Sequence, residues 1–322
     1  ERKPMNFIIV SKPIDYIMTV KKSASIWLIL LLILMADSTS AWWTGGHVIL
    51  SKAAVHVLPD EIPNFFRSSG IMIAHCSADP DLANNRNVPH LRSTQHPNHY
   101  LDLELLKDNN LPETRYALIS LCNQLKLDPE KVGFLPYEII EATERLALSF
   151  AEHRKYPQNS YIQQKCLVYA GLLGHYSEDV CQPLHVTLHH NGRVNANGEV
   201  IAHKGIHYKV DAIIEHAGFT SEQLTNGLQI QALDDLRKDV LTVVLTKHSE
   251  VTRLYELADQ FPSENEAEPT LSPEVADFVK HMAVSATQFT AQLYLTAWQM
   301  SKDITFPSWY GTSFDRNKYD SE

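Results

Sequence analysis

Four cysteines in 322 residues are too few for a disulfide-built scaffold, and 12 glycines with 16 prolines are too few for a collagen-like chain. Positive charge is also short. With 28 Lys and Arg against 38 Asp and Glu the net charge is −10, so no broad basic surface is available to grip polyphosphate by bulk electrostatics. Any affinity for such ligands needs local positive charge, such as bound metal. Long apolar runs are missing as well: residues 26–35, the most apolar stretch, fall well short of the ~20 residues that cross a bilayer. Strand signals are confined to residues 186–203, and there is no internal repeat. What remains, 44% hydrophobic and 20% charged, has the content of an ordinary folded core. Sixteen histidines are its one unusual feature.

Lys21 and Lys22 precede the apolar stretch, and the small residues Thr39 and Ala41 follow it, the pattern of a secretory signal peptide cleaved after Ala41. The expectation is a secreted or periplasmic protein beginning at Trp42, with no transmembrane anchor and no stable protein partner. Residues 1–41 carry five basic and three acidic groups, so their removal takes the net charge from −10 to −12. An oxidising compartment would permit pairing among Cys76, Cys122, Cys166 and Cys181, and buried free thiols are an equal alternative.

Apolar residues recur at helical spacing in 46–58, 138–154, 161–181, 206–216, 222–258 and 275–301. The expected fold is all-α, a single multi-helix domain over residues 42–322. Residues 80–98 and 186–203 read as long loops, the second able to hold a small hairpin, and 261–273 as an acidic linker.

The chemistry concentrates in a few short segments. His175 and Asp179 stand four apart, which on a helix places them on one face a turn apart, and His185 follows just beyond the Pro183 break. His207 and Asp211 repeat that spacing, with Glu215 a further turn along the same face. Upstream lie Asp79-Pro80-Asp81 and His99-Tyr100-Leu101-Asp102. Imidazole and carboxylate are the ligands zinc prefers among borderline metals, and their supply from several segments suits a cluster of ions. Trp42 would add a free α-amine and its own carbonyl, a five-membered chelate created by signal cleavage, with His47 five residues on. Glu178, rotated off the face of Asp179, reads as a solvent-facing or outer-shell group, and His189, His190 and His203 as loop residues.

In order and spacing these motifs resemble the zinc-dependent phospholipase C and P-one-type single-strand nuclease superfamily, from Trp42 to about His216. The resemblance implies a cleft holding three zinc ions per chain. Trp42, His47 and Asp179 would hold one. Asp79, His99, His175 and again Asp179 would hold a second, with Asp179 bridging. His185, His207 and Asp211 would hold the third. It further implies hydrolysis of P–O ester bonds, with Asp79, Asp179 and Arg86 as catalytic residues and Tyr100 and Asp102 binding substrate. Two departures stand out. The interval from Asp79 to His99 is long, so Asp81 could replace Asp79, and Leu82 stands where an arginine is expected, leaving Arg86 or Arg92 to steady the phosphate. The favoured substrate is single-stranded nucleic acid or a nucleotide, in the manner of a nuclease or 3′-nucleotidase. Phospholipid head groups are the alternative, and an exported zinc-binding protein without turnover is a third reading.

Overall fold

A computed structural model describes residues 44–107, 109–263, 266 and 269–312. The expectations for the signal segment and for Trp42 lie outside the described residues.

Helix α1, Thr44–His56, buries Leu50, Ala53 and Ala54, and ends ahead of Pro59. Short helices follow: α2, Gly70–Cys76; α3, Asp79–Ala83; and α4, Pro89–Gln95. Residues 80–98, expected to be a loop, are thus largely helical. Their prolines mark starts rather than breaks, because Pro80 and Pro89 occupy the first positions of α3 and α4, where a missing N–H costs nothing.

Next come α5, Arg115–Leu125, and the two long antiparallel neighbours α6, Leu135–Lys155, and α7, Ser160–Asp179. Asn159 caps α7, its side-chain oxygen accepting from the N–H groups of Tyr161 and Ile162. A two-stranded antiparallel hairpin, β1 (Arg193–Val194) with β2 (Val200–Ala202), is the small sheet expected in 186–203. Helix α8 is Ile206–His216, α9 is Leu236–Glu256 and α10 is Pro273–Met300. The helix expected over 222–258 is interrupted. A short helix at Ser221–Thr225 ends before Gly227, whose φ of +78° leaves the helical region, and α9 restarts behind an Asp235 cap.

Helix α7 packs against α1, α2, α6 and α10. Two glycines let it sit that close. A Cβ on Gly171 would lie 2.4 Å from Cys76 Cβ, and one on Gly174 would lie 2.7 Å from Tyr294 Oη. Tyr294, on α10, donates to Ala170 O at 2.9 Å. The last turn of α7, residues 175–179, is therefore sealed on several sides and fully buried apart from a trace of Tyr176. The described residues form one helical body with a continuous apolar core. All four cysteines are buried and unpaired, and no described helix is long and apolar enough to cross a membrane.

Candidate metal centre

The buried end of α7 collects side chains from five other segments. His47 comes from α1, Asp81 from α3, His99 from the 3-10 turn His96–His99, His185 from the turn Pro183–Val186, and His207 with Asp211 from α8. They gather as three groups: His47, His175 and Asp179; Asp81, His99 and His175; and His185, His207 and Asp211. Within each group the donor atoms lie within 4.8 Å of one another.

These spacings can be compared with what a tetrahedral zinc ion demands. Donors at the usual ~2.0–2.1 Å from such an ion are about 3.4 Å apart. His47 Nε2 is 3.5 Å from Asp179 Oδ1, His175 Nε2 is 3.3 Å from Asp179 Oδ2, and His207 Nε2 is 3.0 Å from Asp211 Oδ2. His175 Nε2 to Asp81 Oδ1 is wider, at 3.9 Å. The two oxygens of Asp179 face different neighbours, since Oδ2 also lies 3.1 Å from His99 Nδ1.

Hydrogen bonding separates inward-facing atoms from outward-facing ones. His175 Nδ1 donates to Ser77 O at 2.7 Å, His185 Nδ1 to His99 O at 2.7 Å, and His207 Nδ1 to His190 O at 3.3 Å. His47 Nδ1 lies 2.7 Å from Glu178 Oε2, and Glu178 Oε1 accepts from Ser51 Oγ. Each of these four rings is held through Nδ1 and offers Nε2 inward, the arrangement in which outer partners orient metal ligands. Of the inward atoms, His47 Nε2, His185 Nε2, His207 Nε2, Asp179 Oδ1, Asp211 Oδ2 and both Asp81 oxygens are buried without a hydrogen-bond partner. Leaving so many buried polar atoms unsatisfied costs about 1–3 kcal/mol each, and cations would offset it. The donor set, the spacing and the unsatisfied atoms all fit zinc.

The protonation equilibria carry the same strain. Burial, reinforced by His175, pushes His47 well below its ordinary value. Burial opposes charge on His175 too, but Asp179 and Asp81 outweigh it and raise that ring to about 9. Burial works against the Asp179 carboxylate, yet His175 and His185 hold it well below the usual range, whereas burial raises both Asp81 and Glu178.

The structure separates several residues named from sequence. Asp81 joins His99 and His175, whereas Asp79 lines a separate polar cavity beside Arg115 and Glu138. The first turn of α3 decides this. Residues two apart in a helix point to different sides, so only one of the two acids can face α7. Arg86 is exposed and lines another cavity, and Arg92 donates through Nε to Asn84 O. The Tyr100 hydroxyl donates to Glu130 O at 2.6 Å, and its ring packs edge-on against His96. Burial and then Glu104 push Asp102 up to about 7, but its side chain is not among the clustered groups. Glu215 packs over Gly45 and belongs to none of the three groups. Glu178 is wholly buried against His47, an outer-shell position rather than a solvent-facing one. Asn84, whose Nδ2 lies 3.1 Å from His99 Nε2, has no motif that would single it out in the sequence.

No protein-family profile and no curated protein matches the chain. Among solved structures, the crystal structure of Clostridium perfringens alpha-toxin isolated from avian strain SWCP resembles it, with a TM-score of 0.40 and 15% identity over 84% of this chain and 67% of that one. At that level of likeness the reading of the centre rests on its own geometry.

Proposed function

We propose that this chain is an exported zinc-dependent phosphodiester hydrolase. One observation carries the reading: three groups of buried nitrogen and oxygen donors, most without hydrogen-bond partners, converge at the end of one helix with spacings near those of tetrahedral zinc. Zinc in all three would leave about +3 of charge after three carboxylates, attract a phosphate despite the net charge of −10, and lower the pKa of a water to ~7 beside the phosphorus.

The chain's own residues supply the rest. Asp179 turns Oδ1 to His47 and Oδ2 to His99 and His175, so it would bridge the first two ions, and His175, which belongs to both of those groups, lies between them. Glu178, Ser77 O, His99 O and His190 O fix the imidazole orientations, so little reorganises on binding. Asp81 takes the ligand role first assigned to Asp79. His47 would share its ion with the amine and carbonyl of Trp42, once cleavage frees that residue.

The test is hydrolysis of bis(p-nitrophenyl) phosphate by protein beginning at Trp42. Chelator-sensitive turnover with about three zinc ions per chain is expected. Three tightly held ions without turnover would leave the non-catalytic zinc-binding reading instead. Parallel assays on single-stranded DNA and on phosphatidylcholine vesicles separate the nuclease from the phospholipase C. Release of diacylglycerol with intact DNA would decide for phospholipid.

A further inference from the structure

Beside the metal centre lies a second cavity, of about 350 Å³, walled by residues from 86–100 and 128–131. Three cations line it: Arg86, Arg92 and Lys131. None of the three forms an ion pair with a carboxylate among the described residues, although elsewhere Arg67, Arg115 and Arg253 all do. Unpaired cations gathered in one hollow are unexpected on a chain of net charge −10. The stretch 82–101 that builds most of the wall contains no Asp or Glu at all.

Two carboxylates do border the cavity, Asp128 and Glu130. Asp128 is engaged as a helix cap, accepting from Glu130 N at 3.1 Å. Asp128 keeps its charge in that bond and the exposed Glu130 adds another, so three cations face two carboxylates and still prevail by one. Ser93 supplies a hydroxyl at the wall, and His96 Nδ1 is buried there with no hydrogen-bond partner. Guanidinium groups, an ammonium, a hydroxyl and an imidazole N–H are together the donors that hold a phosphate.

Position ties the cavity to the centre. His96, Pro97 and Tyr100 line it, while His99, on the same short segment, turns its ring to Asp179. Tyr100 and His99 are one Cα step apart, about 3.8 Å. The cavity and the metal centre are thus separated by one chain segment, around which a ligand reaching both would pass.

We infer that this cavity is a phosphate-binding subsite, separate from the metal centre, which takes a second phosphate group on a substrate whose scissile diester sits at the metals. The inference deepens the phosphodiesterase reading and rests on it for the word substrate; the anion site itself does not. Arg86 and Arg92 then act on a neighbouring phosphate rather than on the one being cleaved, in keeping with their place on this cavity's wall.

Equilibrium dialysis of zinc-loaded protein against inorganic phosphate tests this. Wild type should bind two phosphates. Chelation should remove one, and the double charge reversal Arg86→Glu with Lys131→Glu should weaken the other at least tenfold. Both side chains are exposed, so the fold should be retained, and an unchanged thermal melt checks it. The single variant Lys131→Glu should also keep wild-type turnover of bis(p-nitrophenyl) phosphate, which has only one phosphate. A second arm compares the p-nitrophenyl ester of thymidine 5′-phosphate with and without a 3′-phosphate, the doubly phosphorylated ester being expected to show the lower KM. Equal KM values, with two phosphates still bound, would mean that the subsite takes a free phosphate rather than part of a nucleotide substrate and would overturn the substrate role. Absence of a chelator-resistant phosphate site, or its survival in the double variant, would overturn the subsite. If chelation removes nothing while charge reversal does, the metal reading fails and the subsite stands.

Discussion

Replacing Asp179 and Asp211 in turn by asparagine should produce unequal losses, because the two carboxylates are placed differently. Asp179 Oδ1 lies 3.5 Å from His47 Nε2, while Oδ2 lies 3.1 Å from His99 Nδ1 and 3.3 Å from His175 Nε2. Asp211 spends Oδ1 on the Gln182 amide, at 2.9 Å, and presents only Oδ2 to His207. Asp179 thus faces histidines of two groups, His47 through one oxygen and His99 through the other, and Asp211 faces one. A zinc ion at a free concentration 1,000 times its dissociation constant stabilises the fold by about 4 kcal/mol. For a domain of this size each kcal/mol moves the melting temperature by about 2 °C, so each lost ion should lower it by about 8 °C. Asp211→Asn is expected to bind two zinc ions and melt about 8 °C lower, and Asp179→Asn to bind one and melt about 16 °C lower. Atomic-emission zinc counts with calorimetry in buffered zinc measure both. Retention of three ions by Asp179→Asn, or equal deficits in the two variants, would refute the shared carboxylate.

Three further outcomes can be checked. Asp81→Asn should abolish one zinc equivalent while Asp79→Asn leaves the count unchanged, which metal titration of the two proteins would show. Glu178→Gln keeps the volume of the buried side chain but removes the charge facing His47, and should weaken zinc by about 10–100-fold in a chelator competition; unchanged affinity would mean that Glu178 only packs. Glu104 holds residues 187 and 188, between His185 and His190. Burial works against its charge, but bonds from His248, Thr187 and the Leu188 N–H outweigh that and lower it to about 2. Its folded-state value lies below the unfolded one of about 4.5, so its stabilisation, roughly 2–3 kcal/mol, is complete above pH 4.5 and lost as the pH falls toward 2. Glu104→Gln should accordingly be less stable than wild type in urea at pH 6–7, and the gap should close below pH 4.5.

Much of the centre is legible as local spacing. His175 with Asp179 and His207 with Asp211 are i, i+4 pairs, and a helix of any environment puts such residues on one face. His47 and His99 stand in no such pair, and the sequence offers them as ligands only through the family resemblance. The order of residues leaves Asp81 and Asp79 equivalent because both lie in the first turn of α3, and only the packing of α3 on α7 selects one. Asn84 carries no signal in the sequence, and whether Glu178 faces solvent or backs His47 is undecided there, because such a group is defined by what it touches, 131 residues away for Glu178 and His47, and no spacing rule reaches that far.

The amino-acid order on its own determined a helical chain, the His–Asp pairs on α7 and α8, and the imidazole-and-carboxylate character of the candidate site, since these depend on periodicity and composition. Tertiary structure decided which acid of α3 turns inward, that the prolines of 80–98 begin helices, and that α1, α2 and α10 close on the two glycines of α7. It also gathered Arg86, Arg92 and Lys131 around one hollow. Those outcomes turn on distances between segments far apart in the chain, which are set by how side chains pack against each other and not by the residues next to them.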